Sequence, residues 1–258
     1  ACVAAILSGT KLVIHEQNSV MSRTNRFLSR YADLVGQSFR KVKYAPTSGN
    51  SIVCGMPVRA AIVAAADQSY PSLGLHDKLQ ILVLGGSQGA KIFGDVVPAA
   101  VQLLPKKVRQ NLKIYQQCRS GEENDIARAY ENSGTELVVK HFFDNMPDLY
   151  RGSHIVISRS GASSVSEIAV VGVPSILVPL PTAADDHQTS NAAEIAEAGA
   201  GIVINQRELT AEKLKKIIEE WASDYPRLKL MSEKAQKVGI NNAAKRLADS
   251  IEQMVIKG

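Results

Sequence analysis

The segment with the most evident chemistry is an apolar run over 80–84 that ends in Gly85-Gly86-Ser87-Gln88-Gly89-Ala90-Lys91. A strand that turns on glycines into a helix presents backbone N–H groups and the positive end of a helix dipole to whatever lies at the turn, which suits a phosphate. The spacing is neither that of a P-loop nor the G-x-G-x-x-G dinucleotide fingerprint, and a tight turn without a ligand has the same signature. A second strand-loop-helix unit follows at His154 to Ser158, with Ser163, Ser164, Val165, Ser166 and Glu167 opening the helix. Ser164 and Glu167 have capping-box spacing. A carboxylate near the carboxyl edge of a parallel sheet is equally suited to a ribose diol.

Two further loops carry clustered polar side chains. Asp185-Asp186-His187-Gln188 leads into a helix that either aspartate can cap, and Gln188 and Asn191, three apart, share a face suited to sugar hydroxyls. His15-Glu16-Gln17-Asn18 follows a short strand, so His15 or Glu16 is a candidate general base, although such a pair is more often structural. Arg59, after the turn Gly55-Met56-Pro57, has the geometry to grip a diphosphate.

These residues need a scaffold that collects strand ends on one side. Apolar runs predict strands over 11–15, 34–38, 51–54, 80–84, 113–117, 136–139, 154–158, 175–178 and 201–204. Helical patterns lie between them at 22–31, 88–104, 121–132, 163–171, 186–198 and 210–221, with two more at 226–238 and 241–255. Alternating strands and helices predict an α/β protein with parallel sheets. Turn formers cluster at 45–50 and 55–59, marking a boundary. The two strands and one helix preceding it are too few to bury a core alone.

The 258 residues carry 30 Lys and Arg against 25 Asp and Glu, and the whole excess of five lies in residues 1–50, where seven cations face Glu16 and Asp33. Arg23, Arg26 and Arg30 follow helical spacing, which reads either as a solvated face or as one turned toward an anionic surface. Three widely spaced cysteines, Cys2, Cys54 and Cys118, argue against a disulfide framework and a zinc site, and fit a reducing compartment. The longest uncharged stretch, residues 168–184, contains three prolines and is too short to span a bilayer. No signal-peptide pattern opens the chain, and no aromatic-interleaved basic stretch points to nucleic acid.

Taken in order, His15-Glu16-Gln17-Asn18, Gly55-Met56-Pro57-Val58-Arg59, Gly85-Gly86-Ser87-Gln88-Gly89-Ala90, Ser158-Arg159-Ser160-Gly161-Ala162 with Ser166-Glu167, and Asp186-His187-Gln188 with Asn191-Ala192 resemble the landmarks of the MurG family. Those bacterial peptidoglycan transferases move N-acetylglucosamine from UDP-GlcNAc to lipid I, making lipid II. The resemblance implies a GT-B glycosyltransferase fold of Rossmann-like parallel sheets with an incomplete N-terminal domain. Residues 1–56 are then a remnant of the acceptor- and membrane-facing domain, 57–238 the UDP-GlcNAc-binding domain, and 239–258 a helix returning toward the first.

It further implies a donor site lined by Asn18, Arg59, Gly86, Ser87, Phe143, Ala162, Ser163, Ser164, Val165, Ser166, Glu167 and Gln188. Phe143 is expected either to contact uracil or to pack in the core. The chain departs from the family at Met56, where asparagine is common, and in lacking the glycine-rich loop ending in His that opens the family's first strand. The implied inverting transfer therefore keeps its donor machinery more clearly than its base, with His15 and Glu16 as weak substitutes and poor turnover expected. The expected partners are UDP-GlcNAc, lipid I and an anionic cytoplasmic membrane surface, with no nucleic acid, no metal and no cofactor. The expected location is peripheral, on the cytoplasmic face of the bacterial inner membrane. A non-catalytic nucleotide-sugar-binding module and another GT-B enzyme such as a UDP-GlcNAc epimerase are the alternatives.

Overall fold

The structure, a computed structural model, describes residues 1–47, 49–74, 77–86 and 89–256. Among the described residues nine strands form two parallel sheets. The first contains β1 (Val13–Glu16), β2 (Leu34–Gln37) and β3 (Ser51–Val53) in chain order. The second contains β4 (Leu79–Leu84), β5 (Leu112–Gln117), β6 (Glu136–Lys140), β7 (Ile155–Ser158), β8 (Ser175–Leu177) and β9 (Gly201–Val203), arranged β6-β5-β4-β7-β8-β9. That order reverses direction between β4 and β7, so the carboxyl ends of those two strands flank a crevice.

The described residues form twelve α-helices between and beyond the strands: α1 (Cys2–Ser8), α2 (Arg23–Leu28), α3 (Ala60–Ala66), α4 (Lys91–Leu103), α5 (Lys106–Gln110), α6 (Glu123–Ala129), α7 (Met146–Gly152), α8 (Ala162–Val171), α9 (His187–Glu197), α10 (Ala211–Ala222), α11 (Tyr225–Val238) and α12 (Ala243–Ile256). Each sequence-predicted strand and helix has a counterpart, and α1, α3, α5 and α7 are additional. Those four have five to seven residues, too few for a hydrophobic period to be legible.

The second sheet is buried on both faces. Along β4, Leu79, Ile81 and Val83 enter a core shared with α4 and α10, while Leu82 and Leu84 enter another shared with α3, α8 and α9. Alternation between two apolar layers explains why its strands read as uninterrupted apolar runs. The outer strand β6 is defended by charge, with Lys78 and Lys113 both paired to Glu136.

The first sheet has a smaller core of Leu12, Ile14, Met21, Leu28, Ala32 and Val35. Helix α12 packs against β2, and a Cβ at Gly36 would stand 3.2 Å from Leu247. Gly55 has a φ of 89°, and a Cβ there would stand 2.8 Å from Ile240. Both the left-handed backbone and the close approach of the 239–242 segment require glycine at this position. Among the described residues no helix is long and apolar enough to cross a membrane.

Candidate functional site

At the crevice between β4 and β7 lies a cleft of about 420 Å³, lined among others by Gly86, Gln117, Phe142, Phe143, Ser164 and Glu167. A glycine turn forms one wall. A Cβ at Gly85 would collide with the Ala90 nitrogen at 2.3 Å, so only glycine allows the chain to turn this sharply from β4 toward α4. Gly86, with φ 80°, has no described residue within 4 Å of its Cβ position, which leaves its backbone open to close approach. Ser87 lies outside the described residues. Among the described residues neither α4 nor α8 has a side-chain N-cap, so the start of each helix offers N–H groups at the carboxyl side of the sheet.

The Ser164–Glu167 capping box does not form. Helix α8 begins three residues earlier than that motif requires, with Gly161 at its N-cap. Glu167 lies on the helix's second turn, and its Oε1 is 3.3 Å from the Arg59 guanidinium. Arg59 occupies the N-cap of α3, where a cation opposes the dipole and has no capping oxygen to offer. Local propensity is overridden there to hold a guanidinium against the carboxylate at the cleft. Glu167 is 15% exposed at its side chain and Arg59 is 58% exposed, so a ligand can reach the pair. Tyr150 also lines this cleft, and burial foremost, then the Glu167 charge, pushes the pKa of its hydroxyl far up and keeps it neutral.

The run from Ala162 to Glu167 does not form a continuous wall. Ser164 and Glu167 line this cleft, Ala162 is buried in the core, and Ser163 is exposed. Val165 and Ser166 line another cavity, shared with Arg40, Met56 and Glu194. Helical geometry sorts the six residues this way, since only those three or four apart share a face. Phe143 borders the cleft, but its ring is 5% exposed and meets Tyr115 edge-on at 6.2 Å. The aromatic ring at the mouth is its neighbour Phe142, 59% exposed, which the sequence reading passed over.

Asn18 and Gln188 stand beside the cleft rather than in it. Gln188 Oε1 accepts the Leu180 N–H at 2.9 Å, which fixes the amide and leaves its Nε2 to donate elsewhere. Asp186 is the N-cap residue of α9, but its carboxylate accepts the Thr189 hydroxyl at 2.7 Å instead of a backbone N–H. Asn191 is wholly buried and joins the two sheets: its Oδ1 accepts the Ser19 N–H at 2.8 Å, and its Nδ2 donates to Asn18 Oδ1 at 3.1 Å and to the Ser160 carbonyl at 3.2 Å. Such an amide holds Asn18 beside the start of α8 and is unavailable to a sugar.

The structure corrects the expectation that Glu16 serves as a base. Its buried carboxylate accepts the backbone N–H groups of Asn18 and Ser22 and the Asn25 amide, all within 2.9 Å, and so shapes the loop that carries Asn18. His15 Nε2 lies 3.1 Å from the Gly55 carbonyl, a contact that fastens the ring to the turn between the sheets. Both residues position their surroundings.

The basic face imagined for Arg23, Arg26 and Arg30 is also revised. Helix α2 ends at Leu28, before Arg30, and Arg26 donates to the Met21 carbonyl, stacks on Tyr44 at 3.7 Å and reaches Asp185. Lys11, Arg40 and Lys41 are paired as well, so among the seven cations of residues 1–50 only Arg23, Arg30 and Lys43 lack an acidic partner among the described residues. All three cysteines are free thiols.

Residues 80–247 match the Glycosyltransferase family 28 C-terminal domain. The chain is 40% identical over 242 residues to a Granulibacter bethesdensis protein named UDP-N-acetylglucosamine–N-acetylmuramyl-(pentapeptide) pyrophosphoryl-undecaprenol N-acetylglucosamine transferase, covering 94% of this chain and 63% of the relative. A Phenylobacterium zucineum protein of the same name is 41% identical, covering 98% of this chain and 70% of the relative. The chain thus spans about two thirds of the length of the curated relatives it matches. The crystal structure of Acinetobacter baumannii MurG superposes with a TM-score of 0.82 at 31% identity, over 98% of this chain and 70% of that one. A Neisseria meningitidis UDP-GlcNAc 2-epimerase bound to UDP-GlcNAc shares the fold alone, at TM-score 0.66 and 16% identity, over 98% of this chain and 72% of that one. A parallel sheet of this order, the glycine turn, the Arg59–Glu167 pair and relatives of this identity lead to one conclusion: the chain belongs to the MurG family and carries that family's glycosyltransferase family 28 C-terminal domain.

Proposed function

We propose that this chain provides the donor side of an inverting N-acetylglucosaminyltransferase that moves GlcNAc from UDP-GlcNAc to lipid I, forming lipid II. The observation that carries this reading is the Arg59–Glu167 pair at the mouth of the β4/β7 crevice, beside two helix N-termini that have no side-chain cap among the described residues. Glu167 accepts hydrogen bonds from a ribose diol, and Arg59, released from it, turns to the diphosphate. The α4 N-terminus and the open backbone at Gly86 receive the phosphates, stabilising charge as UDP departs. The Gln188 amide donates to a sugar hydroxyl, and the Phe142–Phe143 segment borders the base. Ser87 belongs to the same glycine turn in sequence.

In this reading residues 57–238 bind donor, while 1–56, with α12 against them, belong to the acceptor side. Arg23, Arg30 and Lys43, with the exposed rings of Phe27 and Tyr31, support a peripheral position on the cytoplasmic face of an anionic inner membrane. Because the carboxylate of Glu16 is engaged, the base for the acceptor hydroxyl is sought outside these 258 residues, and the chain alone binds donor without efficient turnover. Calorimetry with UDP-GlcNAc and a lipid I transfer assay test this. Absence of UDP affinity refutes the donor site, efficient turnover refutes the argument about the base, and C2-epimerised product without acceptor indicates an epimerase.

A further inference from the structure

Arg159 follows β7 directly and is 9% exposed. Its guanidinium donates to the carbonyls of Val178 and Pro179, each at 3.2 Å, and to Gln206 Oε1 at 2.6 Å, and it lies 5.3 Å from the ring of Phe93 in the first turn of α4. Every one of these partners is neutral. No carboxylate pairs with Arg159 among the described residues, and burial lowers its pKa with no neighbouring anion to offset the effect. A buried cation is ordinarily paired, because desolvating a lone charge is costly. This one is held at full charge by its pKa class and by three oxygen acceptors.

Its position explains what the charge is for. The backbone of Arg159 donates to the Leu84 carbonyl, immediately before the Gly85-Gly86 turn, and its guanidinium sits below the N-terminal turn of the helix that follows. We propose that Arg159 is a buried, deliberately uncompensated cation whose counter-charge is the diphosphate of the bound nucleotide, which it attracts through the protein without touching it. Low-dielectric surroundings make such a field far stronger than that of an exposed arginine, and it adds to the helix dipole of α4. The same field stabilises UDP as leaving group, because negative charge on the diphosphate grows as the sugar departs. This inference rests on the proposed donor site and assigns it a contributor that no contact with ligand would reveal.

The experiment compares uridine, UMP and UDP binding to the 258-residue chain by calorimetry. The decisive variant is Gln206→Glu, which leaves Arg159 in place and gives it a carboxylate partner at the position of the present 2.6 Å contact. We expect UDP affinity to fall roughly tenfold, one pKa-sized step of about 1.4 kcal/mol, while uridine affinity changes less than about twofold. Arg159→Met should show the same selectivity and Arg159→Lys should retain most UDP affinity. If Gln206→Glu leaves UDP binding unchanged, or if Arg159→Met weakens uridine and UDP by the same factor, Arg159 acts only by shaping its loops and the proposal fails. Wild-type chain that binds no UDP overturns the donor site itself. Should Arg159→Met not fold, Gln206→Glu and Arg159→Lys still decide the matter.

Discussion

Asn191 offers a sharp test of how the two sheets are joined. Replacing it with alanine removes three hydrogen bonds, those to the Ser19 N–H, Asn18 Oδ1 and the Ser160 carbonyl. Each is worth about 1 kcal/mol net, and stranding the buried Ser19 N–H adds about 1–3 kcal/mol, because Ser19 is 3% exposed and water does not reach it. Cooperative strengthening and partial relaxation act in opposite directions, so the loss should be about 3–5 kcal/mol, equivalent to a melting shift of roughly 6–15 °C for a chain of this size. Asn191→Asp is isosteric but harsher: it keeps an acceptor for Ser19 and sets a carboxylate against the Asn18 and Ser160 oxygens. Urea denaturation followed by circular dichroism gives the stability change, and amide exchange at Ser19 shows where it originates. A loss under about 1 kcal/mol for Asn191→Ala, or an aspartate variant as stable as wild type, would show that the amide is not the joint described here.

Further outcomes follow from other groups. Glu167→Gln should weaken UDP binding about tenfold or more by removing a charged acceptor, yet alter stability by less than about 1 kcal/mol, since its partner Arg59 is mostly in water; calorimetry and thermal melts check the two halves. His154 is neutral in the fold: its Nδ1 accepts the Gln80 N–H at 3.0 Å, its Nε2 has no hydrogen-bond partner among the described residues, and burial lowers its pKa. The unfolded chain therefore binds a proton first, so the stabilisation is complete above about pH 6.5 and is lost as pH falls through and below that value; urea midpoints at descending pH should decline, and less so in His154→Asn. Cys118 is buried, with a thiol pushed up to about 11, and Cys54 is shifted upward by burial too, so a thiol reagent should label half-buried Cys2 well before either in the native chain.

What was legible in the sequence was set by how local the determining force is. The second sheet could be read because strands such as β7, buried along their whole length, are made of apolar residues and little else. Helices α3 and α7, seven residues each, form through tertiary packing and leave no periodic trace. Glu167 was recognisable as an acid near a strand end, but its spacing from Ser164 suggested a cap that the true helix start at Ala162 excludes. Gln188 and Asn191 share a helical face as their spacing requires, yet one is open and the other sealed, because that depends on a loop 172 residues away in the chain. In sequence Arg159 is one member of a motif; its lack of a carboxylate partner among the described residues emerges from contacts with residues 19, 20 and 47 positions distant.

The polypeptide passes between the sheets twice, once through the Gly55 turn and once through the segment around Ile240, and these passages touch, with 2.8 Å between the Gly55 Cβ position and Ile240. Two adjacent covalent crossings define an axle. Translation of one sheet past the other would strain both strands of backbone, whereas rotation about the line through them strains neither. A side chain at Gly55 would push the crossings apart and make the axle looser, so a single methyl group there should degrade the alignment of residues contributed from the two sides, even where it leaves each side's own core intact.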